Sequence, residues 1–93
     1  MKPQGGKKCV TNKEKKKLID YYIAMQIKER RTQLGTSMQE MGEYLGVQKS
    51  TYHYYESGKT SMDIYTIITI CDYLKLNWSQ VIEEANRKAS DDK

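Results

Sequence analysis

The sequence predicts an all-α fold of five short helices, and three observations predict it. Apolar residues recur at spacings of three, four and seven, which puts them on one side of a helix. Helix starts are marked by Ser37, Asp63 and Asn77, and helix ends by Gly35, Gly46 and Gly58. The connections between these signals are two to five residues long, as in compact helical domains.

In chain order, residues 1–12 show no hydrophobic period and hold the only proline, Pro3, beside Gly5-Gly6; they are predicted to be a flexible basic arm. A first helix begins somewhere between Lys13 and Asp20. Leu18, Ile19, Tyr22, Ile23, Ile27 and Leu34 form its apolar stripe, and Gly35 ends it. Ser37 opens the second helix, with Glu40 three residues on to complete a capping box. Met41 and Leu45 form its inner edge. The third helix runs from about Gln48 to Ser57. Asp63 caps a fourth, with Ile64, Ile67, Ile68, Cys71 and Leu74 inside. The β-branched run there also suits a strand, but twelve residues without a turn signal favour helix. Asn77 and Gln80 suggest a capping box for the fifth, whose apolar side is Trp78, Val81, Ile82 and Ala85. The predicted organisation is an arm over 1–12, a domain over 13–87 with a helix-turn-helix unit at 37–57, and a frayed C-terminus over 88–93.

Composition narrows the function. The net charge of +4 is unevenly spread: residues 1–20 carry seven lysines against Glu14 and Asp20, while residues 21–93 carry nine basic and ten acidic side chains. The basic character belongs to the tail. Such tails either track phosphate backbones or serve as solvated ends. No apolar run approaches a membrane span and no signal peptide stands out, so the expected location is the cytoplasm. Cys9 reads as an exposed thiol, Cys71 as a buried one. With one histidine, His53, they form no zinc pattern, and neither metal nor cofactor is expected. No nucleophile–base pair or phosphate loop suggests an enzyme.

The informative stretch is Met38 to Tyr55. Gly42 supplies a small residue where the second helix of the pair crosses closely, which limits that position to alanine or smaller. Gly46 supplies a turn that needs a left-handed backbone. Met41, Leu45, Val47, Tyr52 and Tyr55 fall where the pair must bury apolar surface. Together these make a helix-turn-helix signature.

The run from Ile27 to Val81, including Glu56-Ser57-Gly58-Lys59, resembles the Xre/Cro family of phage and plasmid repressors. The resemblance implies a lambda-repressor-like domain and a salt bridge between Arg31 and Glu56, joining the first helix to the end of the third. The chain departs from the family in three places. Met38 stands where a phosphate-contacting glutamine is usual, with Gln39 beside it, which weakens any contact assigned to position 38. Tyr52 and Tyr55 replace Ile or Leu, so their hydroxyls need partners. Met62 replaces a proline.

In such a motif the third helix enters the major groove of DNA. Turning it at 100° per residue points Tyr52 and Tyr55 inward and leaves Ser50, His53 and Tyr54 outward. Lys49 and Thr51 flank that face and Gln48 caps it. These six are the expected base-reading residues. Phosphate contacts are expected from Ser37 and Gln39 on one side and from Lys59, Thr60 and Ser61 on the other. The family expectation is a homodimer on two half-sites of double-stranded DNA. Trp78, Val81 and Ile82 are candidates for the subunit contact, with a role as core over helices 1 and 4 equally open. A protein-binding, antitoxin-like module with a toxin partner is the alternative function.

Overall fold

The computed structural model describes residues 12–91, which form five α-helices: α1 (Asn12–Leu34), α2 (Met38–Leu45), α3 (Lys49–Ser57), α4 (Ile64–Leu74) and α5 (Trp78–Asp91). The fourth segment is helical despite its β-branched residues. Asp63 Oδ1 accepts from the Thr66 backbone N–H at 2.8 Å, and burial of Ile67, Ile70, Cys71 and Leu74 at helical spacing outweighs a weak local preference. The expected arm and the Cys9 thiol fall almost wholly outside the described residues. The exception is Asn12, which already belongs to α1.

The core is built from the inward faces of all five helices: Ile23 and Ile27 of α1, Met41 of α2, Tyr52 of α3, Ile67, Ile70, Cys71 and Leu74 of α4, and Val81 and Ala85 of α5. Burial pushes the Cys71 thiol up to about 11, so it behaves as a small apolar group. The most extensive packing joins α1 to α5. Gln26 Nε2 donates to the Val81 carbonyl at 2.8 Å, and the Lys88 ammonium lies 5.9 Å from the Tyr22 ring centre. These contacts run the two helices antiparallel. Arg30 Nε donates to the Leu74 carbonyl at 2.9 Å, which satisfies a backbone acceptor left open at the end of α4.

Several expectations are corrected. Leu34 is 46% exposed, because α1 ends there and the buried stripe of its last turn is carried by Arg31 instead. Residues 88–91 are helical rather than frayed. Ala85 and Ala89 are both buried one turn apart, and Arg87 and Lys88 pair with Glu84 at 2.6 and 3.8 Å. Val81 is 3% exposed, so it is core and cannot serve as a subunit contact. Trp78 is 39% exposed and Ile82 is partly buried against the core. The start of α5 is capped by Asn77 Oδ1, which accepts from the backbones of Ser79 and Gln80 and from the Ser79 hydroxyl. All three bonds end on the Asn77 side chain, so this is a one-sided N-cap and not the expected box with Gln80.

Candidate nucleic-acid interface

The α2–turn–α3 unit is held by short-range geometry. Ser37 Oγ accepts from the Glu40 backbone at 3.0 Å and Glu40 Oε1 accepts from the Ser37 backbone at 2.9 Å, so the capping box is complete. Gly46 adopts φ 76°, a left-handed conformation that favours glycine. The constraint at Gly42 is tighter than a helix crossing. A Cβ there would lie 2.9 Å from the Val47 carbonyl oxygen, in the same turn where the Val47 N–H donates to the Gly42 carbonyl at 2.9 Å. Even alanine is too large, and the obstacle is turn backbone.

Behind the unit lies a buried polar network. Arg31 Nε donates to Glu56 Oε2 at 2.5 Å and Nη2 donates to Oε1 at 3.1 Å, a bidentate pair. Arg31 Nη1 also donates to the Thr36 carbonyl at 2.7 Å. The Tyr52 hydroxyl donates to Glu56 Oε2 at 2.7 Å. The Arg31–Glu56 pair thus joins α1, the α1–α2 connection and α3. Glu56 also answers the need of the Tyr52 hydroxyl, while Tyr55 is only partly buried. The hydrogen bond to Glu56 raises the Arg31 pKa further. Burial, followed by that carboxylate, raises the pKa of Tyr52.

With Tyr52 turned inward, the opposite face of α3 is open. Gln48, Lys49, Ser50, His53 and Tyr54 are exposed and Thr51 is half-buried. Gln48 is the N-cap residue of α3 but makes no side-chain cap hydrogen bond. Its amide thus remains available at the leading end of the helix. The His53 and Tyr54 rings lie 6.1 Å apart, and the Lys59 ammonium is 6.0 Å from the Tyr54 ring centre. Five of the six residues expected to read bases therefore lie on α3 and Gln48 caps it; all but the half-buried Thr51 are exposed.

The expected phosphate contacts fare differently. Gln39 is exposed and donates to Glu43 at 3.1 Å. Ser37 is engaged in its cap. The backbone N–H groups of Lys59 and Thr60 both donate to the Tyr54 carbonyl, at 3.1 and 3.3 Å, so only their side chains face a ligand. The Ser61 hydroxyl donates to Asp20 Oδ2 at 2.5 Å and also contacts the Lys16 ammonium. It is a tie to α1. Sequence reasoning missed Lys28, which lies with Met38, His53 and Ser57 around a small cleft beside α3. The available signal was its position one turn before Arg31, on the side of α1 that meets α3. Among the described residues no cluster of His, Cys, Asp or Glu is arranged to hold a metal, and no helix is long and apolar enough to cross a membrane.

The fold and this helix pair define an all-α helix-turn-helix domain. The helix-turn-helix family model matches residues 27–81. The chain belongs to that family, of the Xre/Cro type. It is 32% identical over 76 residues to an uncharacterised HTH-type transcriptional regulator of Sinorhizobium medicae (strain WSM419). A second such regulator, of Rhizobium meliloti (strain 1021), matches to the same extent. In both cases the match covers 82% of this chain and 55% of the relative, so the chain spans about half the length of these curated relatives. The crystal structure of the clp gene regulator ClgR from C. glutamicum superposes with a TM-score of 0.67 over 76% of this chain and 92% of that one. Its identity is 18%, and it supports the fold alone.

Proposed function

We propose that this protein binds double-stranded DNA sequence-specifically in the cytoplasm and regulates transcription, acting as a repressor of a phage, plasmid or other mobile element. The observation that carries this reading is the open face of α3. Lys49, Ser50, His53 and Tyr54 stand outward on a helix whose back is locked to α1 by Arg31 and Glu56. Lys49 suits guanine O6 and N7, and Ser50 and Thr51 suit several base edges. Gln39, Lys59, Thr60 and Lys28 flank the face and suit phosphate oxygens. The domain itself is almost neutral, so two copies on adjacent half-sites answer the need for enough phosphate contacts. Trp78 and Ile82 remain the candidates for joining them.

A second reading, a protein-binding antitoxin-like module, draws on a different surface. Ile64 and Tyr65 at the start of α4 are 52% and 74% exposed, which suits a protein contact. Selection from a random duplex library separates the two. A DNA-reading protein enriches a defined sequence with two-fold symmetry. Failure to enrich any sequence overturns the first reading and leaves the second.

A further inference from the structure

Because α1 begins at Asn12, Lys13, Lys15, Lys16 and Lys17 are part of a helix that packs on the domain. Asp20, one turn after Lys16, accepts from the Ser61 hydroxyl, and the Lys16 ammonium lies 3.2 Å from the same carboxylate oxygen. This strut holds the α3–α4 connection against α1. Its consequence is a cleft lined by Lys16, Lys17, Asp20, Gly58, Lys59 and Ser61. Three lysines and one carboxylate line it. Asp20 pairs with Lys16, while Lys17 and Lys59 pair with no carboxylate among the described residues.

The cleft also has a definite position. Lys59 overhangs the Tyr54 ring, and Tyr54 is the last outward residue of the α3 reading face. The cleft therefore lies just past the end of the helix expected in the major groove. A duplex carries one phosphate per roughly 1.7 Å of its length, so a strand leaving that groove brings a phosphodiester to this place.

We propose that Lys17 and Lys59, with Lys16 held beside them, bind a backbone phosphate of DNA outside the base pairs that α3 reads. This deepens the DNA-binding reading and rests on it. The first turns of α1 thereby add affinity without adding sequence preference, and the part of Ser61 is to hold the cleft together.

The test uses the full chain and the duplex enriched by wild type, once with extended flanks and once trimmed to the half-sites. Affinity is measured against salt for wild type, Lys17→Gln and Lys59→Gln, with melting temperature and helical content recorded for each. Each bound phosphate contributes about 0.9 to the slope of log affinity against log salt. On the flanked duplex each variant is expected to flatten the slope by about one, with base preferences and melting temperature unchanged. On the trimmed duplex the Lys17→Gln slope is expected to match wild type. An unchanged slope on the flanked duplex in a folded Lys17→Gln protein overturns the cleft alone. A changed base preference overturns it too, by assigning Lys17 to readout. If wild type enriches no duplex, the DNA reading and the cleft fall together.

Discussion

Glu56 is the residue on which most depends. It is 7% exposed and holds Arg31 and Tyr52 at once. Removing one partner of a buried ion pair leaves the other charge without its counterpart, which costs about 3–5 kcal/mol. Glu56→Ala is therefore expected to lower stability by about 3 kcal/mol in denaturant titration, a large share of the roughly 5–15 kcal/mol of a small domain. Tyr52→Phe removes one hydrogen bond to a charged group and is expected to cost about 1.5 kcal/mol. A loss below about 0.5 kcal/mol in Glu56→Ala would mean that the network is solvated. The two variants share a carboxylate oxygen, so their costs should fall short of additive. Gly42→Ala is a separate test. Its methyl must displace the Val47 carbonyl from the turn, at an expected cost of about 1–3 kcal/mol. A neutral result would show that the turn yields freely.

At the scale of elements, caps decide where helices begin and end. The end of α4 is a case the usual glycine signal does not cover: Lys75 takes a left-handed φ of 62°, a conformation costing about 1–2 kcal/mol for a side-chain-bearing residue. Lys75→Gly is therefore expected to raise the melting temperature, an outcome that most glycine substitutions would not share. One carboxylate cap and one surface ion pair contribute at the acid limit. Thr66 hydrogen bonds hold Asp63 below its ordinary value and Arg87 does the same for Glu84. A carboxylate with a lowered folded pKa stabilises above its unfolded value, and that contribution disappears as pH falls through the folded one. Stability should thus decline below about pH 4, the ordinary carboxylate range, with Asp63→Asn showing a weaker decline. At the other limit Tyr52 and Cys71 are both raised. Their contribution is complete below their unfolded values and is lost as pH rises, from about pH 9 onward. Thermal melts across pH check both limits.

The elements were legible in the sequence to the degree that a local signal marked them. Ser37 with Glu40, Asp63 and the glycines at 35, 46 and 58 each act within one turn, so residue type alone located them. The end of α4 was missed as a cap because nothing in the identity of Lys75 announces a positive φ. The end of α5 was missed because Ala89 is too small to extend the stripe recognised up to Ala85, yet it is buried. Leu34 shows the converse: its spacing fits the stripe, but burial depends on what covers the helix end. The open face of α3 followed from helical geometry, and the expectation that it reads bases from the resemblance of the motif. The nearness of Lys28, Lys16 and Lys17 of α1 to α3 and the turn after it did not, since it arises only through tertiary packing.

For the molecule as a whole, the lysines in the first turns of α1 belong to the folded domain, and Lys16 and Lys17 lie beside the turn after α3. Lysines 13, 15, 16 and 17 are helical, and the Asp20–Ser61 contact links their helix to the turn after α3. This predicts a division of labour. Charge from α1 and the α3–α4 turn sets affinity and salt dependence, while the α3 side chains set preference. Dimer formation, if it runs through Trp78, should be weakened by Trp78→Ala in sedimentation without loss of helical content.

The most direct test of the central claim, that the open face of α3 reads base pairs, is the base preference of Lys49→Ala and Ser50→Ala on the duplex enriched by wild type, in about 0.15 M salt. Each good base contact carries about 1–3 kcal/mol of discrimination. Each variant is expected to keep its fold and to lose preference at one base pair per half-site, with the other positions retained. Unchanged preference at every position, or a uniform weakening on all sequences, would contradict it and place the reading surface elsewhere.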